Sequence, residues 1–104
     1  MFKMTIKKSD RPEKDYVAVF TPLSEGRSRK TYFGDSKLEQ YTSGATKEQR
    51  ERYLARHKKD LSTNDSMRAG YLSYYILWSG FENQKPSKSL RLNISRYKKK
   101  FGYK

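Results

Sequence analysis

A chain of 104 residues sets the scale of one domain, which buries roughly two thirds of the surface its unfolded form exposes. Twenty-four Lys and Arg against eleven Asp and Glu give a formal net charge of +13, and a surface of that charge selects polyanions. The absence of cysteine excludes disulfides and thiolate metal sites, and no apolar run approaches the roughly twenty residues that span a bilayer.

A hydrophobic fraction of 34% with this much charge pushes a chain towards disorder. Nine Tyr, five Phe and one Trp oppose that, because each ring buries a large area and the tyrosines keep a polar handle. The expectation is a folded domain with a small aromatic core and flexible ends. Met1 to Ile6 lacks the apolar core of a signal peptide, so a protein of cytosol, nucleus or a particle assembled there is expected.

In chain order, Phe2, Met4 and Ile6 alternate with Lys3, Thr5 and Lys7, the period of a half-buried strand. Tyr16 to Thr21 is β-branched and aromatic and stops at Pro22. Ser24 to Ser28 reads as a turn, and Arg29 to Phe33 as a third strand ending at Gly34. Three strands with short connections over residues 1–34 predict an antiparallel meander. Residues 35–45 read as irregular. Thr46 and Gln49 then fit a capping box, opening a helix over 46–60 with Tyr53, Leu54, His57 and Leu61 on its inner face. Met67 to Trp78 is apolar on nearly all sides, which predicts a central core helix, although its aromatic content also permits a strand, and Gly80 suits the helix end. Ser87 or Ser89 can cap a last helix over 88–101, with Leu90, Ile94, Tyr97 and Phe101 inward and Gly102 beyond its end. The predicted class is α+β: a small N-terminal meander of about three strands packed with about three C-terminal helices.

Charge is distributed unevenly along this scaffold. Residues 61–84 carry one basic and two acidic side chains, whereas 85–104 carry eight basic and no acidic ones. The first candidate site is therefore Lys88, Arg91, Arg96, Lys98, Lys99 and Lys100, with Lys85 and Lys104 nearby, on a helix held by its own buried stripe. Arg52, Arg56 and Lys59 form a second stripe that Glu48, Glu51 and Asp60 are expected to neutralise in part. Arg29 and Lys30, with Arg27, either reach a groove as an arm or lie on a solvated loop.

The remaining chemistry is sparse. His57, the one histidine, reads as a hydrogen-bonded core or boundary residue. Two-metal phosphodiester hydrolysis needs clustered carboxylates, and the sequence offers none, so neither an enzyme nor a metal or other cofactor is expected. Tyr71, Tyr74, Tyr75 and Trp78 read as core, with self-association or base stacking as the alternatives. No Gly-rich phosphate loop, zinc-finger or RNA-recognition signature occurs.

Several words in fixed order carry a resemblance: Tyr32-Phe33-Gly34, Tyr41-Thr42, the run Arg50 to Lys59, the run Ala69 to Trp78, and Tyr97-Lys98-Lys99-Lys100-Phe101. Over residues 29–101 the chain resembles a family of short basic proteins of unknown function encoded by nucleocytoplasmic large DNA viruses, the giant viruses among them. The resemblance implies a viral setting, the virion or the infected cell's cytoplasmic factory or nucleus, beside a large DNA genome. The family has no assigned catalytic residues to carry over.

The functional expectation is a non-enzymatic protein that binds nucleic acid, with DNA favoured over RNA by the setting that the resemblance implies, although the residues themselves do not separate the two. Binding is largely without sequence preference, because lysine neutralises phosphate more readily than it reads base edges. The protein would help package or compact a genome. The alternative is a structural virion protein that binds acidic protein surfaces, as a capsid or tegument-like cement. A symmetric homodimer would suit a domain with so little apolar material. No membrane and no small-molecule substrate is expected.

Overall fold

Alternation in the first strand decides how the sheet faces. In the computed structural model, which describes residues 1–104, β1 (Phe2–Lys8), β2 (Lys14–Pro22) and β3 (Arg29–Asp35) pair antiparallel in the order β1-β2-β3. Met4, Ala18, Phe20 and Phe33 are fully buried on one face of this meander, while Lys3, Thr5 and Lys7 are exposed on the other. Gly34 has φ +85°, and a Cβ there would sit 3.1 Å from Leu77 Cδ1 and 3.2 Å from Asp15 Cβ. Bare backbone at that point lets the end of β3 approach the helical layer.

The segment 35–45, read as irregular, is ordered by one buried amide. Gln40 Nε2 donates to Asp15 Oδ2 at 2.9 Å and to the Asp35 carbonyl at 3.1 Å, and a short 3-10 turn follows at Tyr41–Ser43. Helix α1 (Lys47–His57) opens on the expected capping box. Gln49 N–H donates to Thr46 Oγ1 at 3.1 Å, and Thr46 N–H donates to Gln49 Oε1 at 2.7 Å. The chain then tightens into a 3-10 segment, Lys58–Thr63, closed by Asn64 in the left-handed region. The helical stretch predicted to about residue 60 thus changes pitch after His57.

The central segment is helical and buried, as expected, but it is not one regular helix. α2 (Ala69–Leu72) makes a single α turn and widens into a π-helical turn over Ser73–Leu77, with Trp78 N–H donating to the Ser73 carbonyl at 3.1 Å. Leu72, Ile76 and Leu77 have no exposure, and Tyr71, Tyr74, Tyr75 and Trp78 keep 9% or less. Ser79, not Gly80, takes the left-handed position at its end, with φ 53°. Gly80 is required for space: a Cβ there would lie 2.4 Å from Tyr74 Cε1 and 2.9 Å from Leu54 Cδ2.

Helix α3 (Leu90–Phe101) starts at Ser89, whose side chain accepts from Leu92 N–H at 3.1 Å, and ends at Gly102 in the left-handed region. The ends of the chain, expected to be flexible, are tied together. Lys104 N–H donates to the Phe2 carbonyl at 3.0 Å, and Met4 N–H donates to the Lys104 carbonyl at 2.7 Å. Tyr103, the residue before, lays its ring 5.1 Å from that of Phe20 on the inner face of the sheet. The aromatic core therefore holds the carboxyl end against β1, an arrangement no local pattern announces. The architecture is α+β, with one three-stranded sheet covered on one face by helices. No helix is long and apolar enough to cross a membrane.

Candidate nucleic-acid interface

A charged helix presents a fixed array only if something buried holds it. In α3 that role falls to Asn93 and Tyr97, both without solvent exposure. Asn93 Nδ2 donates to the Ile76 and Ser87 carbonyls, each at 3.0 Å, and its Oδ1 accepts from Ser79 Oγ at 3.3 Å. Ser79 Oγ in turn accepts from Ser87 N–H at 2.9 Å. One amide thus satisfies the end of the central helix, the loop before α3 and α3 itself, with no buried polar side-chain atom left unpaired. Tyr97 packs its ring among Tyr75, Phe101 and Tyr103 and donates its hydroxyl to the Ser66 carbonyl. Burial pushes the Tyr97 hydroxyl pKa far up, so this donor stays protonated.

Opposite that stripe, Arg91 and Lys99 are exposed and Lys98 is half-buried, and none has a carboxylate within ion-pair distance. Arg91 and Lys98 stand two turns apart on one flank, roughly 10 Å at the α-helical rise. Lys98, Lys99 and Lys100 fill the last turn, where cations offset the negative end of the helix dipole. That placement lets three neighbouring ammonium groups coexist without acids among them.

The other members of the predicted set are charged but engaged. Arg96 Nη1 donates to the Lys85 carbonyl at 2.9 Å and so positions the loop before α3. Lys100 Nζ lies 5.6 Å from the Phe101 ring centre and 5.8 Å from that of Tyr75. Lys88 Nζ sits 5.0 Å from the Tyr41 ring, away from the last turn. Arg96, Lys99 and Lys100 line one wall of an open groove of about 580 Å³, whose other wall is Phe81 to Gln84. Leu92 interrupts the basic face at 43% exposure.

On α1, Arg52 and Arg56 are exposed, and Lys59 is exposed on the 3-10 segment beyond. Their expected neutralisation is not formed. Asp60 is taken by His57, whose Nδ1 lies 2.9 Å from its Oδ2, and no ion pair joins Glu48 or Glu51 to the stripe. Exposed long side chains gain too little from pairing to hold one geometry. Arg52 and Arg56 line a different groove from the α3 cations, so the two sets are separate surfaces. Arg29 and Lys30 belong to β3 and are neither an arm nor a loop. Arg29 shares Asp65 with Arg68, at 3.7 and 3.5 Å, whereas Lys30 is unpaired.

His57 is the boundary residue its position suggested. Its ring stacks on Tyr53 at 4.1 Å, and Tyr53 stacks on Trp78 at 4.2 Å; burial pushes the Tyr53 hydroxyl up to about 12. The rings of the 67–78 segment are interior, so they supply neither a stacking platform nor an interface. Nowhere do three His, Asp or Glu side chains converge so as to hold a metal ion. Two positioning residues were missed in the sequence. Arg50 donates from Nε and Nη2 to the Trp78 and Ser79 carbonyls at 3.0 and 2.9 Å, a cap on a distant helix end. Asn93 had a visible signal: it falls between Leu90 and Tyr97 on the inward stripe, a polar residue where a core residue belongs.

Residues 4–57 match the model of a family described as a family of unknown function, DUF5754. The chain belongs to this family. The matched stretch covers the sheet, the Gln40 turn and α1, including the Tyr32-Phe33-Gly34 and Tyr41-Thr42 words, and ends before the central segment and α3. No curated protein and no solved structure matches the chain.

Proposed function

We propose that this protein binds DNA without sequence preference and without catalysing a reaction, neutralising phosphate as part of the packaging or compaction of a large viral genome. The observation that carries the reading is the state of the α3 cations. Arg91, Lys98 and Lys99 stand without ion-pair partners on a helix anchored by Asn93 and Tyr97. Polyanions gain most from cations already held apart and unpaired, because each phosphate contact releases counterions. The viral setting rests on the resemblance of the ordered words between residues 29 and 101; on this proposal the protein works in the virion and the infected cell.

Mobility shift with duplexes of unrelated sequence tests this at about 50 and 300 mM salt, where about six phosphate contacts give a log–log slope near −5. Comparable binding to each sequence, lost at the higher salt, supports the reading. No shift at low salt, or tight binding indifferent to salt, removes it.

A second reading, attachment to acidic protein surfaces in a particle, is favoured by one feature. Leu92 is exposed in the middle of the α3 cations, where a protein surface would cover it and a phosphate chain would leave it in water. Charge reversal at Lys98, Lys99 and Lys100 that abolishes incorporation into particles but spares DNA affinity would select it.

A further inference from the structure

The side of the sheet that faces away from the helices is uncovered, and it is basic. Lys3, Thr5 and Lys7 of β1 lie opposite Thr21, Val19 and Val17 of β2; Val19 and Val17 lie opposite Lys30 and Tyr32 of β3. The alternation that buries Met4, Ala18, Phe20 and Phe33 turns this second set outward, and Lys3, Thr5, Lys7, Thr21 and Lys30 are all exposed. Lys30 stands two strands from Thr5, midway in height between Lys3 and Lys7. With strands about 4.8 Å apart and about 3.4 Å per residue, the three lysines mark a triangle with sides of roughly 12–14 Å. None has a carboxylate within ion-pair distance. The acid beside the patch, Asp10, accepts from the Tyr32 hydroxyl at 2.9 Å, and Arg11 adds a guanidinium 3.9 Å above the Tyr32 ring.

We infer that this sheet face, centred on Lys3, Lys7 and Lys30, is a second phosphodiester-binding surface, so that one chain grips two nucleic-acid segments at once. The inference rests on the DNA-binding reading of α3 and extends it from neutralisation to bridging. Charge complementarity selects the occupant. At this spacing, beyond a Debye length of about 8 Å, the exposed lysines scarcely repel one another, yet a phosphate chain laid across the strands meets all three. A protein partner would need a large apolar or aromatic anchor, and the face offers little: Val17 is already covered at 5% exposure, Val19 is half-buried between Thr5 and Lys30, and Arg11 occupies one face of the half-buried Tyr32 ring. The α3 cations belong to the other layer, in a molecule whose smallest extent is 24 Å. Each surface can therefore neutralise its own duplex.

The test uses the full chain and two duplexes, one biotinylated on beads and one fluorescent, with capture of the second by the first as the measure of bridging. The control measure is mobility shift of the single fluorescent duplex. The variants are Lys3→Gln, Lys7→Gln and Lys30→Gln together, and Arg91→Gln, Lys98→Gln and Lys99→Gln together, each checked for native circular dichroism. The sheet variant is expected to lose at least tenfold in capture while its single-duplex affinity falls less than threefold; the helix variant loses both. Should neutralising three exposed lysines unfold the chain, Lys7→Gln with Lys30→Gln replaces that variant and is expected to lose at least threefold in capture. Capture unchanged in a folded sheet variant overturns the inference and leaves the α3 reading intact, as does a parent protein that binds duplex but captures none. A parent that binds no duplex at low salt overturns both.

Discussion

Helices α1 and α3 both carry rows of unpaired cations, yet they are held in different ways. α3 sends Asn93 and Tyr97 into the core and closes at both ends, on Ser89 and Gly102. α1 has no fully buried residue; it rests on half-buried Tyr53 and Leu54, a capping box and the reach of Arg50. The first arrangement fixes where charge stands, whereas the second lets it adapt. A basic helix becomes an array by virtue of what lies beneath it, so the buried face should govern affinity nearly as much as the lysines do.

The strongest way to break this contrast is to remove the anchor and leave the charge. Asn93→Ala abandons the buried Ser79 hydroxyl and two carbonyls, so stability should fall by about 3 kcal/mol, measured by urea unfolding. Affinity for duplex should fall with it although every cation remains. Next comes charge itself. Arg91→Glu, Lys98→Glu and Lys99→Glu together should weaken duplex binding on the order of a hundredfold at low salt and flatten the log–log slope by about 2.7. Arg52→Glu, Arg56→Glu and Lys59→Glu should cost about tenfold. Equal losses in these titrations would erase the distinction between the helices.

Alkaline titration sharpens it further. Above pH 10 the tyrosines of the unfolded chain ionise, while Tyr53, raised to about 12, and Tyr97, raised further by burial, keep their protons in the fold. The folded state then binds more protons than the unfolded one, so stability declines as pH rises from 10 towards 12. Below pH 10 both states hold the proton and the contribution is complete. Melting temperatures should show this decline, and Tyr97→Phe should make it shallower. The smallest effect is expected at the α1 cap: Thr46→Ala should lower stability by about 1 kcal/mol in thermal melts, with no change in duplex affinity.

Sequence carried the features whose cause is local. Alternation in residues 2–7, the Thr46–Gln49 box, the Ser89 cap and the Gly102 stop each follow from neighbours within a turn or a strand. What it hid depends on distant partners. The π-helical turn at Ser73–Leu77, the left-handed Ser79 and the close approach at Gly80 follow from how Tyr74, Leu54 and Asn93 meet in space. The acid–base pattern of α1 misleads because proximity along a helix does not make an ion pair, and Asp60 turns to His57. The density of lysine in residues 85–104 marks α3 plainly. The alternation of Lys3 and Lys7 with Met4 and Ile6 carried equal information about the opposite surface, spread thinly across two strands.

The pairing of Lys104 with Phe2 and Met4 has a bearing on how these molecules behave when crowded together. An unpaired strand margin invites another copy to add its own strand and start a fibre. Here Lys104 occupies the opening part of the β1 margin, a plug made from two hydrogen bonds. A strand from another copy could add at that point only by displacing Lys104, so crowding along a polymer does not by itself start a ribbon there.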